Sequence, residues 1–74
     1  MIKKYRIHNK AANFLIELVH DENIPVTIQL GQSHKDFNGD TQIDILLEFE
    51  DQNVVLVNEA LNKAIQLAIS AITL

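Results

Sequence analysis

A chain of 74 residues makes one small domain, whose core can supply only a few kcal/mol of net stability and therefore commits most of its apolar side chains to packing. It has no cysteine, which excludes disulfide staples and thiolate zinc sites and permits a reducing compartment. The formal charge of -4 is wrong for a whole-domain binder of phosphate backbones, so no nucleic-acid partner is expected.

The charge is uneven. Lys3, Lys4, Arg6 and Lys10 are four of the six Lys and Arg residues, so an anion or an acidic partner should meet the first ten positions. No basic segment leads into an apolar signal core and no run reads as long enough to span a bilayer; the expectation is a soluble cytoplasmic protein without membrane insertion.

Residues 2 to 8 alternate, with Tyr5 and Ile7 on one face, and read as an edge strand. From Asn9 to about His20 the period becomes helical: Ala11, Phe14, Leu15, Leu18 and Val19 form one stripe, with His8 or Asn9 free to cap it. Asp21-Glu22-Asn23 ends this helix. Ile24, Val26, Ile28 and Leu30 alternate as a second strand with Pro25 near its start. Gly31-Gln32 reads as a turn, Ser33 to Phe37 as a weak third strand, and Asn38-Gly39 as the break that follows.

Asp40 can cap a second helix with Ile43, Leu46 and Leu47 on its apolar side and Asp44 and Glu48 opposite, ending near Phe49 or Glu50. Val54 to Val57 is the most β-prone run and reads as a central strand. Asn58 then caps a last helix whose stripe is Leu61, Ala64, Ile65, Ala68, Ile69 and Ile72. The predicted order is β-α-β-β-α-β-α in a single domain over 1–74: an α+β open-faced sandwich with a four-stranded, mainly antiparallel sheet under three helices.

A histidine at a strand-to-helix junction has two readings. Unpaired N–H groups at a helix start favour an anion, so His8 could hold a phosphoryl group there with Lys10 adding charge; equally, the ring could only cap or pack. The segment His8-Asn9-Lys10-Ala11-Ala12 and the segment Asn38-Gly39-Asp40-Thr41-Gln42-Ile43 before Leu46-Leu47 together carry a resemblance. The chain resembles the histidine-containing phosphocarrier (HPr) family of the bacterial sugar phosphotransferase system. That family has His-x-Arg-Pro-Ala opening its first helix and Asn-Gly-Lys-Ser-Ile before its second, and the likeness extends over nearly the whole chain.

The resemblance implies a carrier that takes a phosphoryl group on His8 from a general phosphotransferase enzyme and passes it to sugar-specific acceptor domains, without cofactor or metal. His8 would be the nucleophile and Lys10 the stabilising cation. Thr41 would be a regulatory phosphorylation site. Phe14, Leu15, Leu46 and Leu47 could form an apolar docking surface, or could be core.

Several departures favour a second reading. Only seven residues precede His8, none of them glycine, where the family has a glycine-containing loop; Lys10 stands for arginine, Ala11 for proline and Asp40 for lysine. The alternative is an HPr-like binding or regulatory module without phosphoryl transfer. His20 and His34 have no partner at metal-ligand spacing and read as surface residues, and Asp40, Asp44 and Glu48 read as a solvated helical stripe. No catalytic triad order, phosphate loop or dinucleotide fingerprint suggests an independent enzyme.

Overall fold

The computed structural model describes residues 1–73, with side chains through residue 72. Strand β1 (Ile2–His8) runs directly into helix α1 (Asn9–Asp21); β2 (Thr27–Lys35) and β3 (Thr41–Glu48) form a hairpin; a single 3-10 turn (Asp51–Asn53) leads into α2 (Val54–Thr73). The sheet has three strands in the order β1-β3-β2, and both pairings are antiparallel. The architecture is therefore β-α-β-β-α with two helices on one face of the sheet. The expected four strands and three helices are not what forms.

Two segments account for that difference. Residues 41–48 were expected as a helix, because Ile43, Leu46 and Leu47 fit a helical stripe; they also fit alternation, with Ile43, Ile45 and Leu47 turned to the core. β-Branched Thr41, Ile43 and Ile45 favour the extended form, and a neighbour on each side supplies its hydrogen bonds, so the strand wins and becomes the middle of the sheet. Val54–Val57 was expected as a central strand. Instead it is the first turn of α2, because Val57, Ala60, Leu61, Ala64 and Ala68 form one buried helical stripe that outweighs the local β-propensity. Asn58 consequently lies inside this helix and caps nothing at its start.

The first helix follows the sequence closely. Asn23 takes φ 51° just beyond its end, the left-handed conformation that asparagine tolerates. The N–H groups of Glu22 and Ile24 return to the carbonyls of Leu18 and Val19 at 2.9 and 3.1 Å, and Ile24 is buried beneath that turn.

The hairpin holds a feature that alternation does not announce. Gly31-Gln32 is a bulge within one continuous β2: Leu30 pairs with Ile45 and Ser33 with Ile43, leaving two residues opposite Asp44. One extra residue reverses the alternation. Ile28 and Leu30 stand on the helix side, while His34, which would follow them there in an unbroken strand, is turned to the open side. The true turn is at 36–40. Asp36 Oδ1 accepts the N–H groups of Asn38 and Asp40 at 2.9 and 3.0 Å, and Gly39 adopts φ 83°.

The core lies between sheet and helices. Leu15, Leu47 and Val57 are its most enclosed large side chains, joined by Ile7, Ile24, Ile45, Phe49 and Leu61. The last helix is not buried along its whole predicted stripe: Ile65 is half-buried, and Ile69 and Ile72 are exposed. The segment Asp51–Ile72, with a mean hydropathy of 1.2, is long and apolar enough to cross a membrane by length and composition, which corrects the expectation that no such run exists. Its buried stripe packs on α1 and the sheet, and 28% of its most apolar stretch is buried.

Candidate functional site

Because helices cover only one side of the sheet, the other side is an open face carrying Lys4, Arg6 and His8 from β1, Gln42, Asp44 and Leu46 from β3, and Gln29 and His34 from β2. Asp44 is its centre. Arg6 Nε donates to Asp44 Oδ1 at 2.8 Å, and His34 Nε2 lies 2.9 Å from Asp44 Oδ2, so a single carboxylate ties both edge strands to the middle one. The Arg6 and then the His34 hydrogen bonds hold the Asp44 carboxyl below the ordinary aspartate value of 3.8.

The bulge makes this geometry possible. It aims His34 at Asp44, and Gly31 gives the room: a Cβ there would lie 3.3 Å from Asp44 Cβ and from its carbonyl oxygen. A shallow trough of about 650 Å³ crosses the same face, with Lys4, Arg6, Gln29, Gly31, Asp44 and Leu46 along it.

His8 sits where β1 meets α1, as expected, and its ring is built into the junction. With φ -59° and ψ 143° it is the N-cap of α1, and its Nδ1 accepts the Lys10 N–H at 3.1 Å. Nδ1 must then be unprotonated, which in a neutral ring puts the proton on Nε2. That second nitrogen is shut off from solvent without a hydrogen-bond partner; Asp40 Oδ1 is 3.7 Å away, an ion pair only when the ring is charged. The side chain as a whole is 23% exposed.

The other expected residues separate. Lys10 is exposed on the first turn of α1 and has no ion-pair partner among the described residues. Thr41 begins β3, half-buried and paired with Lys35. Leu15 and Leu47 are core at 1% and 0% exposure; Phe14 is half-buried between the helices and the surface, and Leu46 is half-buried on the open sheet face. These four side chains do not make one patch.

Sequence reading missed the Arg6, Asp44 and His34 cluster. Asp44 and Glu48 were expected on a helical stripe with Asp40; they lie on β3, and Asp40 lies in the turn before it. Arg6 was legible as an outward residue of an alternating strand, but its partner was not. Among the described residues no group of three or more His, Asp or Glu side chains could hold a metal ion.

Comparison of the chain with protein-family models, curated proteins and solved structures found no match. The element order expected for a phosphocarrier likeness is not the one that forms, and the second of the two segments quoted for it leads into strand β3 instead of a helix.

Proposed function

We propose that this chain is a small binding module that meets a partner through its sheet, and that His8 serves the fold rather than phosphoryl chemistry. The observation that carries the reading is the state of the His8 ring. Nucleophilic attack needs a nitrogen lone pair at the surface. Nδ1 uses its lone pair on the Lys10 N–H, and Nε2 is covered. The Arg6, Asp44 and His34 cluster supports the same reading: it presents fixed charges and donors on a flat face, without a nucleophile hydrogen-bonded to the histidine. The cysteine-free chain suits a reducing compartment, and the proposal assigns the module to the cytoplasm.

A second reading keeps the phosphocarrier. It is favoured by the free Lys10 cation beside His8 at the N-terminus of a thirteen-residue helix, a setting that attracts phosphate. It requires the ring to leave its cap before accepting a phosphoryl group.

Incubation with phosphoenolpyruvate and a general phosphotransferase enzyme, followed by intact mass before and after acid treatment, separates the two. The binding-module reading expects no change in mass. An acid-labile gain of one phosphoryl group that His8→Ala abolishes would replace it with the carrier.

A further inference from the structure

The two edges of the sheet are not equivalent. β2 is interrupted by the Gly31-Gln32 bulge, which breaks the ladder a new strand would need. β1 is seven residues without bulge or proline, hydrogen-bonded to β3 on one side and to no strand on the other among the described residues. That outer edge is a row of backbone donors and acceptors available to an extended chain.

What surrounds this edge selects the chain. Lys3 and Lys4 lie on β1 and Lys10 just beyond it, and none has an ion-pair partner among the described residues although the protein carries a net charge of -4. An antiparallel second copy centred on Tyr5 would place Lys4 against Arg6 and Arg6 against Lys4, like charges facing each other. Cations on an edge strand ordinarily protect it from such self-pairing. The same cations attract carboxylates.

The helix above supplies the apolar half of the match. α2 packs against β1, and α1 packs against both β1 and β3 and reaches toward β2. The Lys63–Glu22 pair and the contacts of Leu56 and Ala60 beside Ile24 put α1 and its exit turn on one flank of α2. At about 100° per residue, Ile65 lies about 200° round from Lys63, and Ile72 falls on the same flank as Ile65, turned away from α1. This flank belongs to the helix that contacts β1, with Ile65 half-buried and Ile72 45% exposed.

We propose that the β1 edge receives an extended acidic segment of another protein as a fourth strand. Alternate apolar side chains of that segment pack under Ile65 and Ile72, and the intervening carboxylates lie beside Lys4 on the open face, with Lys3 and Lys10 at the rim. The inference rests on the binding-module reading and names the partner chemistry for it.

The probe is a capped peptide alternating valine with glutamate, long enough to span Ile2–His8, titrated into the labelled full chain and followed by amide shifts and hydrogen exchange. Shifts should gather on β1 and on residues 65–72, and outward β1 amides should exchange more slowly. Lys4→Glu combined with Lys10→Glu, both at exposed positions, should weaken binding about tenfold or more while leaving the melting temperature near that of the wild type. A peptide with lysine for glutamate, or one N-methylated on its pairing edge, should not bind.

Equal binding of the lysine peptide, shifts confined to β2 or to the open face, or no binding at millimolar peptide would overturn the proposal. So would a concentration-dependent dimer of the free protein, which would give the edge to a second copy. Failure of the peptide with no phosphate uptake at His8 removes only this inference; phosphate uptake removes the binding-module reading itself.

Discussion

At the scale of single residues, the junction at His8 and the cluster at Asp44 show how side-chain chemistry becomes structure. The His8 cap was one of two roles legible in the sequence, because a polar residue before a helical stripe can always turn back to the helix N–H groups. Geometry decides between them through Nδ1 and Lys10. His8→Ala should lower stability by about 0.5 to 2 kcal/mol, and His8→Asn, which keeps a side-chain acceptor, should recover most of that loss in chemical denaturation.

Asp44 predicts a pH dependence. Its folded value is depressed by Arg6 and His34, so the native state favours the carboxylate more than the unfolded chain does. That stabilisation is complete above the ordinary value of 3.8 and is lost as pH falls through the lower folded value. Asp44→Asn should therefore be less stable than the wild type at neutral pH, with the difference shrinking in acid below about pH 4. A difference that grows in acid would contradict the assignment.

At the scale of elements, legibility followed the number of periods a segment could satisfy. β1 and α1 each fit one pattern, and their bounds were read almost to the residue. The Thr41–Glu48 segment fits two, and only its neighbours on both sides decide. The Gly31 bulge could not be read locally at all, since a glycine-polar pair serves a turn and a bulge alike, yet it determines that His34 faces Asp44. Along α2, an unbroken apolar stripe predicts an unbroken core, whereas the sheet and α1 cover only part of it.

Substitutions separate the covered from the uncovered positions. Leu47→Ala, at 0% exposure on the middle strand, should cost about 2 to 5 kcal/mol by leaving a cavity. Ile69→Asp, at 49% exposure, should cost far less than Ala64→Asp, which forces a charge into a position with 0% exposure. Melting temperatures of the three variants in one buffer check the order, and an Ile69→Asp protein as damaged as Ala64→Asp would place the core elsewhere on α2.

At the scale of the whole molecule, β-α-β-β-α leaves, among the described residues, one sheet face without a covering layer and the β1 edge as its one unbulged edge, and the surplus positive charge of an acidic protein lies along that edge. His8 links the parts that frame it: it ends β1, caps α1 and faces Asp40 in the hairpin turn. The functional reading depends on that ring being part of the framework. The most direct test is the ring ¹⁵N spectrum of His8 in the labelled protein at mildly alkaline pH. An acceptor-type Nδ1 and a protonated Nε2 are predicted, with a long-lived Lys10 amide; a protonated Nδ1, leaving Nε2 with an open lone pair, would contradict the account.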